Sequence, residues 1–107
     1  MDLKQLQERL PWTIPYSDQF QSNKSEYADM EHALIHIVKS AGIIAGMIDK
    51  ADHGENEAFH RMNLKERTAD FVMCALRIAN TAPGGSFDLE RAVIERMEFV
   101  NKVQLEL

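Results

Sequence analysis

The sequence predicts an all-α antiparallel helical bundle, on three observations. Tyr27, Met30, Leu34, Ile37, Ala41, Ile44 and Ile48 recur at spacings of three and four through the stretch Glu26–Ala51. Such a row is an a/d seam, the mark of a long amphipathic helix packed lengthwise against others. Capping-box spacing occurs twice, in Asn23-Lys-Ser-Glu26 and in Asn63-Leu-Lys-Glu66, each ahead of an apolar run. Finally, no segment alternates apolar and polar residues with the period of two that a half-buried strand needs.

The elements follow in order. Residues 2–9 have the length of a short helix, stopped by Pro11. Pro11-Trp12-Thr-Ile-Pro15-Tyr16 is then extended, because each proline disfavours helix in the residue before it. Trp12, Ile14, Tyr16 and Phe20 are costly to leave in water, so this segment is expected to strap across the helices or a partner subunit. Val38 and Ala45 widen the seam of the long helix, and Ile35, Ile43 and Met47 form a second apolar strip. A helix apolar on two sides needs two sets of neighbours, one from its own chain and one from a second copy. Gly54 is placed to cap its end.

A polar connection covers 55–62. A second helix then runs from the Asn63 box to about Ala82, with Leu64, Thr68, Phe71, Val72, Ala75, Leu76 and Ala79 facing inward. Pro83-Gly84-Gly85 breaks it; without a Gly-Lys-Ser/Thr ending or a preceding strand it is a turn, not a phosphate loop. Ser86 or Asp88 caps a third helix to about Gln104, with Leu89, Ala92, Val93, Met97 and Val100 on its inner face. The organisation expected is an arm over 1–22 and a helical domain over 23–107.

Composition sets limits on function. The chain of 107 residues is 45 % hydrophobic and 27 % charged, ordinary values for one soluble domain. Its net charge of −5 argues against a general nucleic-acid binder. No uncharged apolar run of about 18 residues or basic leader is seen, so neither a membrane span nor a signal peptide is expected, and a cytoplasmic location is. Cys74 is the one cysteine, and its apolar surroundings, Phe71 to Leu76, mark it as a buried thiol rather than a nucleophile.

Three constellations could carry chemistry. Glu66 and Asp70 share a helix face, and two carboxylates at that spacing can hold a hard divalent cation. His32 and His36, also four apart, can bind a transition metal through two imidazoles or simply be hydrogen-bonded on the helix edge. Lys39, one turn on, can hold a phosphate or form an ion pair with Asp70 or Glu66 across the bundle. His53 and His60 fall in or beside the connection.

Over about residues 27–104 the order of elements resembles the MazG-like all-α nucleoside triphosphate pyrophosphohydrolases. Their long helix carries Glu-Glu-x-x-Glu, often as Glu-Glu-x-Gly-Glu-Leu-Ala, and the next carries Glu-x-x-Asp. Lys39-Ser40-Ala41-Gly42-Ile43-Ile44-Ala45 overlays the first motif, matching at Gly42 and Ala45, with Ile44 in the leucine place. The three acids become Lys39, Ser40 and Ile43. Arg67-Thr68-Ala69-Asp70 overlays the second, keeping Asp70 and replacing the glutamate by Arg67. Leu89–Lys102, with Asn101 near its end, resembles the last family helix.

The resemblance implies a bundle completed as a dimer or tetramer. It also implies a magnesium-dependent cleavage of nucleotides that the altered motifs no longer support, because magnesium needs anionic oxygens. The expectation is a regulatory or binding protein without a cofactor, holding a nucleotide or other phosphorylated small molecule near His32, His36, Lys39, Arg67 and Asp70. Two alternatives stand beside it. One is an active hydrolase with a rebuilt magnesium site using Glu66, Asp70 and Glu31 or Asp49. The other is a partner-binding bundle that uses the Trp12–Phe20 strap.

Overall fold

The structure, a computed structural model, describes residues 1–10, 27–55, 57 and 60–106. Four helices follow one another: α1 Leu3–Glu8, α2 Ala28–Asp52, α3 Arg61–Thr81 and α4 Leu89–Leu105. There is no strand among the described residues, so the all-α class holds. The Trp12–Phe20 strap and the Asn23–Glu26 box lie outside the described residues.

Local chemistry accounts for the helix ends. Asp2 caps α1 through a full capping box with Gln5. α2 stops at a Schellman motif: Glu55 N–H donates to the Lys50 carbonyl and Gly54 N–H to that of Ala51. Gly54 takes φ +97°, open to glycine at no steric cost. His53 Nδ1 adds a bond to the Asp49 carbonyl at 2.7 Å. Gly84 and Gly85, with φ +89° and +122°, turn the chain after Pro83, and Asp88 rather than Ser86 caps α4 by accepting from Arg91 N–H. The second predicted box does not form. α3 begins three residues earlier, behind His60, so Asn63 lies inside the helix and its side chain is spent elsewhere.

α2 and α3 form an antiparallel hairpin, the largest contact in the molecule. Asn63 Nδ2 meets Met47 Sδ at 3.6 Å at one end, and Arg77 meets Asp29 at the other. The face of α2 that packs on α3 is Met30, Ala33, Ile37, Ser40, Ile44, Met47 and Ala51, each buried or half-buried. The expected seam therefore holds only at Met30, Ile37 and Ile44. Tyr27, Leu34, Ala41 and Ile48 face solvent instead, and Ala33, Ser40 and Met47 take the inner places. One residue of shift turns a helix by about 100°. Of the second strip, Met47 is buried, Ile43 half-buried and Ile35 exposed.

On α3 the deepest residues are Cys74, Leu76, Arg77 and Ala79, while Thr68 and Val72, expected inside, are exposed. α1 packs against the α3–α4 corner. Gln7, 8 % exposed, ties it there: Nε2 donates to Asn80 Oδ1 at 3.0 Å and to the Phe87 carbonyl at 2.8 Å. Its Oε1 accepts from Leu89 N–H at 3.0 Å, and Asn80 Nδ2 returns a bond to the Gln7 carbonyl. α4 otherwise stands off the hairpin. None of its residues is buried, and the expected inner face Leu89, Ala92, Val93, Met97 and Val100 is half-buried or exposed, because no described element covers it. The radius of gyration, 17.0 Å, exceeds the roughly 13 Å of a compact chain of this length accordingly.

By length and composition α2 is also apolar enough to cross a membrane, with mean hydropathy 1.2 over its best 18-residue window. The expectation of no span rested on uncharged runs, and this helix carries Lys39 within a largely apolar stretch. Mostly buried core helices pass the same test; this window is mostly exposed, and the Asp29–Arg77 pair joins α2 to a charged neighbour.

Candidate functional site

The face that α3 turns to α2 is unusually polar for a helix–helix contact. Asn63, Arg67, Asp70, Cys74, Arg77 and Thr81 recur at spacings of four and three and are all buried or half-buried. Arg67 Nε donates to Asn63 Oδ1 at 3.3 Å, and its Nη1 lies 3.7 Å from Asp70 Oδ2. Two turns beyond Asp70, Arg77 is 7 % exposed and its Nη2 is 3.4 Å from Asp29 Oδ1. A guanidinium so far out of water needs a charged partner, and Asp29 supplies it from the first turn of α2, where a carboxylate also favours the helix dipole.

His32 and His36 sit about one and two turns beyond Asp29 on α2. Their Nε2 atoms are 3.1 Å apart, the rings stand nearly perpendicular at 83°, and their centroids are 4.6 Å apart. One imidazole donates and the other accepts. Burial holds the His32 pKa below its usual value, and His36 and Arg77 push it further down, against a smaller pull upward from Asp29. His32 is therefore neutral at pH 7, with His36 facing solvent beside it.

The predicted site residues thus fall into separate groups. His32 and His36 come together on α2, and Arg67 and Asp70 come together on α3. Lys39 is exposed; the ion pair with Asp70 or Glu66 is not formed, since Asp70 is engaged by Arg67 on its own helix. Glu66 points to solvent. Glu66 and Asp70 do not by themselves fit a magnesium ion, because the Asp70 carboxylate already faces a guanidinium. No three of His, Cys, Asp and Glu converge as a ligand group among the described residues. Cys74 is buried, and burial with the nearby Asp70 charge pushes its thiol pKa up, so it stays protonated.

Sequence reasoning missed the Asp29–Arg77 pair and the Gln7–Asn80 clip. The signal for the first was present: Arg77 falls in the same helical row as Asp70 and Cys74, inside an apolar run. Gln7 has no such signature, since its bonding is set by the α3–α4 turn far along the chain.

Two exposed apolar features stand out among the described residues. On α2 the residues Leu34, Val38, Ala41, Ala45 and Ile48 form a second seam at three–four spacing, with Leu34 53 % and Val38 64 % exposed. On α4 a shallow apolar depression of about 350 Å³ runs along Leu89, Ala92, Val93, Met97 and Val100, edged by Arg96 and Asn101. Searches against family models, curated proteins and solved structures find no match to this chain.

Proposed function

We propose that this chain is a self-assembling, non-catalytic helical protein of the MazG-like kind, working as a dimer or tetramer. The observation that carries the reading is the outer seam of α2, Leu34, Val38, Ala41, Ala45 and Ile48, a coiled-coil row facing solvent along the middle of the helix. Monomeric proteins rarely leave contiguous apolar patches of this kind uncovered. A second copy is the natural occupant, because an isologous pairing lets one seam meet its own equivalent. Small residues at Ala41 and Ala45 allow the two backbones to approach closely. The α4 stripe offers a second surface, as a tetramer requires. The absence of catalysis in this reading is supported by the positive charge of Lys39 and Arg67, and by the Arg67–Asp70 pair.

Light scattering on the purified chain tests it. A dimer or larger species is expected at micromolar concentration, and Val38→Glu, at an exposed position, should give a monomer with unchanged helix content. A monomeric wild-type protein overturns the assembly, and flotation of the wild type with lipid vesicles would assign the seam to a membrane instead.

Lys39 favours a second reading, in which the assembly also holds a nucleotide or phosphorylated small molecule in a regulatory role. It is exposed with no ion-pair partner among the described residues, so its charge is available to a phosphate. Thermal stabilisation by nucleotides that survives a chelator and falls in Lys39→Ala supports this reading. Stabilisation only with magnesium, lost in Asp70→Ala, would point back to a hydrolase.

A further inference from the structure

The geometry points to a site for a borderline divalent transition ion, such as Ni²⁺, Zn²⁺ or Cu²⁺, chelated between Nε2 of His32 and Nε2 of His36. The two nitrogens stand 3.1 Å apart on adjacent turns of one rigid helix. Imidazole nitrogens bind such ions at about 2.0–2.1 Å. Two of them on one ion are then about 2.9 Å apart at a right-angle bite and about 3.4 Å apart at a tetrahedral one. The observed spacing falls between these limits, so an ion can take the place of the shared proton once the donor ring, by exchange with solvent, carries its proton on Nδ1 and both Nε2 lone pairs are left for the metal.

The backbone that sets this distance is already held. α2 is continuous from Ala28 to Asp52, and the Asp29–Arg77 pair fastens the turn beside His32 to α3. His36 opens to solvent, which gives the ion a path. Imidazole ligation selects copper, nickel and zinc over magnesium, which prefers oxygen. This site is thus distinct in place and in chemistry from any carboxylate site at Glu66 and Asp70. No third His, Cys, Asp or Glu joins the pair among the described residues, so water would fill the remaining positions. The ion would be held at a modest affinity and remain open to an additional donor.

Titration calorimetry of the full-length chain at pH 7.5 with NiCl₂ or ZnCl₂ as the probe tests this. One ion per chain is expected, with Mg²⁺ in excess failing to compete. His32→Ala and His36→Ala should each weaken binding by at least about tenfold, since even an outer-shell change at a metal site costs that much. His53→Ala and His60→Ala should leave it unchanged. Cu²⁺ paramagnetic resonance should show hyperfine structure from two nitrogens, reduced to one in either variant. Absence of binding, or binding that survives both His32→Ala and His36→Ala, overturns the proposal. Because His36 is exposed, His36→Ala should keep the native circular dichroism, and its result stands even if His32→Ala disturbs the fold.

Discussion

Replacing Gln7 by alanine should loosen the corner at which α1, α3 and α4 meet. The side chain makes three hydrogen bonds, to Asn80 Oδ1, to the Phe87 carbonyl and from Leu89 N–H. Each is worth about 0.5–1.5 kcal/mol net, and orphaned partners in a half-buried place add to the upper end. The sum is about 2–4 kcal/mol, which would lower the melting temperature of a domain this size by roughly 10–20 °C if the molecule unfolds as one unit. If the corner opens by itself, amide exchange in α4 should speed up by roughly a hundredfold while α2 keeps its protection. Gln7→Glu separates bonding from packing. Its shape is conserved, but a carboxylate oxygen would face the Phe87 carbonyl, so at pH 7 it should be no more stable than Gln7→Ala. Urea unfolding and hydrogen exchange read both effects, at fixed protein concentration because self-association shifts apparent stability. If Gln7→Ala stays within about 0.5 kcal/mol of wild type and α4 exchanges as before, the three bonds do not hold the corner and the reasoning fails.

Other substitutions probe the hairpin. Asp29→Ala removes the carboxylate that faces the buried Arg77 guanidinium and should cost about 3 kcal/mol in urea unfolding, while Asp29→Ala/Arg77→Met should recover most of that. Gly54→Ala forces an alanine to φ +97° and should cost about 1 kcal/mol, read by thermal melting. His32 binds its proton less tightly when folded than unfolded. Its contribution to stability should be fully present above the ordinary histidine value of about 6.5 and be lost as the pH falls through its lower folded value. That slope, seen in melts between about pH 5 and 7, should flatten in His32→Gln. Cys74 should react with a thiol reagent only under denaturing conditions, and fast labelling of the native protein would contradict its burial.

The elements and their ends were legible from the chain because helix punctuation is local. Gly54, Asp88 and the Pro83-Gly84-Gly85 break act on their immediate neighbours and needed no partner to be recognised. Asn63 misled because a capping residue and a helix-interior hydrogen-bonding residue look alike until the helix start is known. Within the candidate site, the His32–His36 contact followed from spacing on one helix. The separation of Lys39 from Asp70 did not, since Arg67 competes for the same carboxylate from a nearer position.

By itself, then, the sequence determined an all-α chain, its long helix with two apolar sides, and a single cysteine set among apolar residues. Tertiary structure decided which side of α2 faces the chain's own α3. Met30, Ile37 and Ile44 serve both seams, and a period of three and four fits either one. At the remaining positions the buried places go to Ala33, Ser40 and Met47, on the side that meets the polar row of α3, and Leu34, Ala41 and Ile48 are left outside. That selection depends on shape and charge across two helices some thirty residues apart in sequence. No local pattern encodes it, and it is also what leaves Leu34, Val38 and Ile48 on the surface.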